Sequence, residues 1–159
     1  MRQAYFAGGC FWCITPIFKI QRGVLSVVSG FSGGDERDAS YEDVKAQLTG
    51  HRETVKIEYN EAEITFGRLL EIFLANVDPY DGEGQYIDRG RSYTLAVYYN
   101  DLDEKESAER MIARVADAKI AVEPFKFFIP AGEEHQDYYL KNPEEFEREL
   151  VGSGRKEKQ

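Results

Sequence analysis

Two segments in the middle of the chain differ in the period of their apolar residues. Apolar side chains occupy every second position from residue 55 to residue 59, which is the pattern of a strand with one buried face. From residue 66 to residue 74 they recur at helical spacing, and strand and helix patterns follow each other again between residues 93 and 115. Strands that alternate with helices predict an α/β or α+β domain of two layers.

Shorter elements extend this pattern toward both ends of the chain. We expect a helix at residues 14–20 and strands at residues 3–8, 24–31 and 122–128. Pro124 places the last strand at a sheet edge, because proline cannot donate a ladder hydrogen bond. Ser40 and Asp43 resemble a capping box, which predicts a short helix that reaches Leu48. Short helices are expected around EEHQDYYL and NPEEFEREL.

The length and charge of the chain limit its class. Its 159 residues suffice for one domain with a substantial core, so we expect a single domain at residues 1–150 and a flexible tail at residues 151–159. A net charge of −9 argues against nucleic-acid binding, which depends on clustered Lys and Arg. No apolar segment approaches the roughly 18 residues of a membrane span, and the N-terminus lacks a signal-peptide pattern. We therefore expect a cytoplasmic protein, and we expect it to be a monomer.

The two cysteines of the chain, Cys10 and Cys13, stand three positions apart in the segment GGCFWC. Residues at this spacing lie on one helix face, so the two thiols can form a reversible disulfide. A helix N-terminus near Cys10 favours its thiolate, which makes Cys10 the nucleophile and Cys13 the thiol that resolves it. Two alternatives remain open: a zinc site completed by His51 and His135, and a pair of buried core residues.

Four segments, AGGCFWC, SYEDV, TGHRETVKIEYN and EEHQDYYLKNP, together resemble an A-type peptide methionine sulfoxide reductase. The resemblance extends from about Tyr5 to about Pro143. It implies a ferredoxin-like core in which a mixed sheet is covered by helices. It also implies a thiol-dependent reductase of the S epimer of methionine sulfoxide, free or in oxidised proteins, that binds no metal and no organic cofactor.

The resemblance assigns the first chemical step to four residues. Cys10 matches the nucleophile, and Phe11 and Trp12 match the aromatic residues that enclose the terminal methyl group of the substrate. Glu53 matches the acid that protonates the sulfoxide oxygen, because thiolate attack on sulfur drives charge onto that oxygen. Burial beside aromatic surfaces is the means by which a Glu retains its proton near neutral pH.

Three further residues are assigned by the resemblance to the surroundings of the oxygen. Tyr41 and Tyr93 match two tyrosines that donate hydrogen bonds to it, and Asp88 matches an Asp that orients a water molecule and the tyrosines. The segment IDRGRSYT keeps the Asp, Gly and Tyr of the family pattern Asn-Asp-x-Gly-x-Gln-Tyr-Arg. It differs from that pattern at Ile87, Ser92 and Thr94.

Cys13 stands where the family commonly has Gly, and no cysteine follows it. The resemblance therefore implies a disulfide between Cys10 and Cys13 that an external dithiol, above all thioredoxin, reduces in an enzyme of oxidative damage repair. A general disulfide oxidoreductase and a redox-sensing or metal-binding adaptor are alternatives that use the same thiols. A Cys-His hydrolase dyad is a further alternative, but we expect structural hydrogen bonds from His51 and His135.

Overall fold

The computed structural model describes residues 1–153, without the side chains of residues 138, 139 and 149–153. Its strands are β1 (Arg2–Gly8), β2 (Val24–Ser32), β3 (Arg52–Tyr59), β4 (Gly84–Gln85), β5 (Asp88–Arg89), β6 (Leu95–Tyr99), β7 (Ile120–Pro124) and β8 (Phe128–Pro130). Its helices are α1 (Phe11–Lys19), α2 (Tyr41–Lys45), α3 (Phe66–Ala75), α4 (Leu102–Ile112), α5 (Tyr138–Lys141) and α6 (Pro143–Ser153). Within residues 1–153, none of these helices has the length and apolar character needed to cross a membrane.

Six of the strands form one sheet in the order β7-β6-β1-β3-β2-β8. Neighbouring strands are antiparallel, except that β6 and β7 are parallel. The central order β6-β1-β3-β2, with α1 after β1 and α3 after β3, is that of a ferredoxin-like core. The predicted two-layer fold with a mixed sheet covered by helices is therefore confirmed.

Helices α1, α3 and α4 pack on one face of this sheet. Their buried apolar side chains share one core with alternate residues of β1, β3 and β6. The core includes Phe6 of β1, Phe18 of α1, Ile57 of β3 and Phe73 of α3. Burial of each such side chain stabilises the fold by about 1.5–3 kcal/mol, so this layer fixes the positions of β1 and α1.

The opposite face of the sheet is closed by the segment between β7 and β8. These strands lie at opposite edges, yet only residues 125–127 join them. A flat sheet of this width would hold its edges about 24 Å apart, whereas the connection spans at most about 14 Å. The sheet must therefore curve toward this face. On this face, Phe125 stacks on Tyr5 with ring centroids 3.8 Å apart. The Tyr98 hydroxyl of β6 donates a hydrogen bond to the Ser32 carbonyl of β2.

Two strand predictions differ from the structure. The strand predicted at residues 122–128 is in fact two strands, β7 and β8, at opposite edges of the sheet. Pro124 ends β7, because it supplies no N–H to continue a ladder. Tyr93, which was expected in a strand, lies in the 3-10 turn Arg91–Tyr93 that precedes β6.

Two helix predictions also need correction. Helix α1 begins at Phe11, three residues earlier than predicted, so Pro16 lies inside it rather than in its first turn. Packing of its apolar face against the sheet outweighs the hydrogen bond that Pro16 cannot donate. Helix α2 ends at Lys45, short of the predicted Leu48, whose side chain is exposed.

The predicted tail at residues 151–159 is only partly covered by the structure. Helix α6 continues to Ser153, and residues 154–159 lie outside the described residues. The flexible tail and the domain limit at residue 150 therefore stay predictions.

Candidate active site

The candidate site lies at the end of the sheet where β1 leads into α1. Gly9 has a φ of 88°, a conformation that residues with a side chain rarely adopt, and this turn brings Cys10 to the N-terminus of α1. Strands β3 and β6 are both antiparallel to β1, so their first residues lie beside its last one. Glu53 near the start of β3 and Tyr93 just before β6 are thereby brought to the same end of the sheet.

Cys10 and Cys13 are free thiols in the first turn of α1. Cys10 is the N-cap residue, and the backbone N–H of Cys13 donates to its carbonyl oxygen at 3.1 Å. Their exposed fractions are 8% and 2%, and their side chains are hydrogen-bonded to each other. Both pack against Tyr93 in one buried cluster. The two sulfurs are thus neighbours in a site with little access to water.

The Cys10 thiol does not have the low pKa that its place at a helix N-terminus predicted. Its hydrogen bond with Cys13 and its burial raise its pKa well above the ordinary value of a thiol, and the charges of Glu53 and Asp88 add to the shift. The helix N-terminus does not compensate, because the N–H of Phe11 donates to Glu53 rather than to the sulfur. Cys10 is therefore a thiol in this resting arrangement.

Glu53 is a buried carboxyl with an exposed fraction of 1%. Its Oε1 accepts a hydrogen bond from the N–H of Phe11 at 3.1 Å, and its Oε2 has no hydrogen-bond partner among the described residues. Burial raises the pKa of Glu53 to about 8, with Asp88 and Cys13 adding to the shift, while the Phe11 N–H opposes it. Glu53 therefore holds a proton at neutral pH. Its hydrogen bond from the Phe11 N–H places the carboxyl beside the residue that follows Cys10.

An aromatic cluster lies on the other side of the first turn of α1. The ring of Tyr41 lies 6.1 Å from the rings of both Phe11 and Trp12. His135 stacks on Tyr41 at 4.1 Å, and its Nδ1 accepts a hydrogen bond from Trp12 Nε1 at 3.3 Å. Burial lowers the pKa of His135, which favours the neutral imidazole needed to accept that bond. These rings form a continuous aromatic surface beside the N-terminus of α1.

Tyr93 is the buried phenol of the site. Burial raises its pKa well above the ordinary value, and the charges of Glu53, Tyr41, Cys10 and Asp88 act in the same direction. These four groups are therefore close enough to interact with the Tyr93 hydroxyl, which remains a neutral donor at neutral pH. The structure thus brings together every site residue predicted from the sequence, namely Cys10, Phe11, Trp12, Cys13, Tyr41, Glu53, Asp88 and Tyr93.

His51 belongs to a different part of the structure. It is fully buried, its Nδ1 accepts from the N–H of Gly34 at 3.1 Å, and its Nε2 bonds to the carbonyl of Glu36. Both ring nitrogens are thereby committed to the loop after β2. Within residues 1–153, no group of three or more His, Cys, Asp and Glu side chains is arranged to hold a metal ion.

Two residues at the site come from the C-terminal part of the chain. His135 was expected to form structural hydrogen bonds, and no sequence pattern indicated that it would also stack within the aromatic cluster. Phe146 of α6 packs against the cluster of Cys10, Cys13 and Tyr93, and it lies in the acidic segment NPEEFEREL. A single aromatic residue among acidic neighbours was the available signal for this contact.

A buried thiol pair beside a carboxylic acid and phenols, on a ferredoxin-like core, defines a thiol-dependent oxidoreductase. Comparison with known families identifies the family within this class. The profile of the family described as peptide methionine sulfoxide reductase matches residues 2–159. The chain therefore belongs to the peptide methionine sulfoxide reductase family. The predicted family and the predicted enzyme class are confirmed.

Individual relatives agree with this result. The peptide methionine sulfoxide reductase MsrA of Bacillus subtilis is 41% identical over 96% of this chain and 90% of its own length. The crystal structure of Mxr1 from Saccharomyces cerevisiae in reduced form has a TM-score of 0.82 and 25% identity, covering 89% of this chain and 86% of that one. Methionine sulfoxide reductase A of Corynebacterium diphtheriae has a TM-score of 0.80 and 26% identity, covering 89% and 74%.

Proposed function

We propose that this member of the methionine sulfoxide reductase family reduces methionine (S)-sulfoxide, free or in proteins, with residues 1–150 as a single catalytic domain. The observation that carries the proposal is the buried Glu53 carboxyl, which holds a proton at neutral pH and is hydrogen-bonded to the residue next to Cys10. A thiol and a carboxylic acid in this relation supply the electron pair and the proton that transfer of a sulfoxide oxygen requires.

In the first step, Cys10 attacks the sulfoxide sulfur as Glu53 gives its proton to the oxygen. The bond between the substrate sulfur and oxygen breaks, the oxygen passes to Cys10 as a sulfenic acid, and methionine leaves. The substrate sulfur is reduced by two electrons, and Cys10 is oxidised by two. Tyr41 and Tyr93 donate hydrogen bonds to the oxygen while charge develops on it, and Asp88 orients them. The proton of the Cys10 thiol restores Glu53, so the step consumes no net proton.

The arrangement of the site selects one epimer. The substrate methyl group lies against Phe11 and Trp12, the oxygen points toward Glu53, and the rest of the amino acid leaves toward solvent. In the opposite epimer, the methyl group and the oxygen would exchange positions. The polar oxygen would then lie among apolar rings without a hydrogen-bond donor, which is unfavourable. We assign the accepted epimer as S, which is what the family resemblance implies.

In the second step, the Cys13 thiol attacks the sulfenic acid of Cys10. A disulfide forms and water leaves, which balances the oxygen taken from the substrate. The contact between the two side chains in the reduced protein supports this role, because little movement is needed to bring the sulfurs to bonding distance. An external dithiol, thioredoxin, then reduces the disulfide by thiol exchange. We propose that this cycle repairs oxidised methionine in the cytoplasm.

The test is thioredoxin-coupled reduction of the separated S and R epimers of a blocked methionine sulfoxide. We expect turnover of the S epimer alone, and a rate for Glu53→Gln that is about 10²-fold to 10⁴-fold lower, since that variant has no proton to give. Glu109→Gln is the matched control, because Glu109 is exposed on α4, and it should behave like the wild type.

Other outcomes would point to other functions of the same thiols. Reduction of unrelated disulfides at a rate unaffected by Glu53→Gln would identify a general disulfide oxidoreductase and contradict the proposal. Equal turnover of both epimers would contradict the assigned positions of the methyl group and the oxygen.

A further inference from the structure

A cleft of about 800 Å³ lies beside the site, between the starts of β6 and β7 and the loops that face them. Four cationic side chains line it, those of Arg52, Arg89, Arg91 and Lys119, against the single carboxylate of Glu83. The chain as a whole carries 29 acidic and 20 basic residues, so this excess of positive charge runs against its composition. The cleft is therefore a local cationic feature of an acidic protein.

Two of these four cations already have a carboxylate partner. Arg89 donates to Asp81 through two nitrogens, and Arg52 Nη1 lies 3.2 Å from Glu123 Oε1. Arg91 and Lys119 are exposed, and neither has a carboxylate within 4.0 Å among the side chains that the structure describes. Their charges remain available to an anion that enters the cleft.

Arg52 is built into the wall of the cleft rather than extended into solvent. Its exposed fraction is 4%, its Nε donates to Thr94 Oγ1 at 2.8 Å, and its Nη1 donates to the Tyr98 hydroxyl at 3.0 Å. These bonds fix the guanidinium plane, and no described residue accepts a hydrogen bond from its Nη2. A guanidinium held in one plane, with a donor that no described residue uses, favours a carboxylate ligand, because hydrogen bonds between charged groups are stronger than neutral ones.

The cleft is close to the catalytic thiol. Arg91 and Thr94, which line it, flank Tyr93, which contacts Cys10. Leu95, another lining residue, pairs with Gly8 across β6 and β1. Paired strands lie about 5 Å apart and the two residues from Gly8 to Cys10 span at most about 7 Å, so the cleft begins within about 12 Å of Cys10. Three or four residues of an extended peptide cover that distance.

We propose that the cleft binds the carboxylate of an acidic residue three or four positions from the methionine sulfoxide of a peptide substrate. This inference rests on the proposed function, because the methionine sulfoxide must be held at Cys10. Arg52 Nη2 supplies a directed hydrogen bond, and Arg91 and Lys119 supply charge at the cleft mouth. The site therefore prefers oxidised methionine in acidic segments of proteins over methionine sulfoxide in neutral ones.

The test uses pairs of blocked peptides that carry one methionine sulfoxide and differ only by Glu or Gln three or four positions away, on either side. We expect the wild type to show a KM about five-fold lower for the Glu peptide on one side, with a similar kcat, as exposed charge contacts of this kind provide. Lys119→Gln should reduce the preference for the Glu peptide to about two-fold. It should leave the kcat and KM for blocked methionine sulfoxide unchanged. The preference should also weaken at high ionic strength.

Arg22→Gln is the matched control, because it removes the same charge at the opposite end of the sheet, where its side chain is 91% exposed. Equal KM values for the Glu and Gln peptides in the wild type would overturn the proposal, as would equal effects of Lys119→Gln and Arg22→Gln. If the blocked methionine sulfoxide itself is not reduced, the proposed function fails. Binding of the same labelled peptides to Cys10→Ser, measured by fluorescence anisotropy, then tests the cleft separately. Equal affinities for the Glu and Gln peptides would exclude the cleft as a carboxylate-binding site.

Discussion

Replacing Glu53 by Gln should stabilise the folded chain, although Glu53 is proposed as the acid of the reaction. The side chain is 1% exposed, and its Oε2 has no hydrogen-bond partner among the described residues. Gln has nearly the same shape and retains an oxygen that can accept the N–H of Phe11, but it does not ionise. The change in stability therefore reports the free energy of burying an ionisable carboxyl at this position.

The magnitude follows from the pKa of Glu53, which burial raises from 4.5 to about 8. Between these two values the folded chain keeps a proton that the unfolded chain releases, so the stability of the wild type falls as the pH rises. Each pH unit in this window is worth about 1.4 kcal/mol. Glu53→Gln should therefore be more stable than the wild type by about 3 kcal/mol at pH 7, and by about 5 kcal/mol above pH 9.

The assay is urea unfolding of the wild type, Glu53→Gln and Glu109→Gln between pH 4.5 and pH 9, with the thiols kept reduced. The gain of Glu53→Gln should be below about 1 kcal/mol at pH 4.5 and should rise with pH, whereas Glu109→Gln should follow the wild type. A difference that does not depend on pH would refute the reasoning, because it would mean that the Glu53 carboxyl has an ordinary pKa in the folded chain.

Two other substitutions test separate parts of the structure. Cys13→Ser should release about one equivalent of methionine per chain and then stop, with Cys10 trapped as a sulfenic acid that a dimedone probe detects; sustained turnover with thioredoxin would exclude Cys13 as the resolving thiol. Glu104→Gln should lower the free energy of unfolding by about 1–3 kcal/mol, because the buried Glu104 carboxylate pairs with Arg2 at 3.0 Å and accepts from the Asn100 N–H at 2.8 Å. A neutral or stabilising effect in urea unfolding would show that this ion pair does not support the fold.

The elements of the fold could be predicted from the sequence because hydrophobic period is a local property. The order of the strands could not, because β1 pairs with both β3 and β6, which are distant in the chain. The segment at residues 122–128 shows the same limit. Its residues are consecutive in the sequence, yet the structure divides them between two edges of the sheet.

The members of the site were predicted through short motifs, whereas the charge state of Cys10 was not. A helix N-terminus is visible in the sequence, and it predicts a low thiol pKa. The hydrogen bond with Cys13 and burial contribute most to the raised pKa, and burial, like the charges of Glu53 from β3 and Asp88 from β5, arises only in the folded chain. His135 and Phe146 were missed as site residues for the same reason, since α6 and the turn before α5 are far from α1 in the sequence.

The burial that makes Glu53 unfavourable for folding is also what suits it to the proposed chemistry. An exposed Glu releases its proton near pH 4.5 and has none to give at neutral pH. The charge of Glu53 adds to the raised pKa of Cys10. The Cys10 thiolate therefore forms more easily while Glu53 keeps its proton, and the nucleophile and the acid are then both in their reactive forms. The resting thiol is therefore consistent with catalysis, because thiol and sulfoxide give sulfenic acid and methionine without a net change in protons.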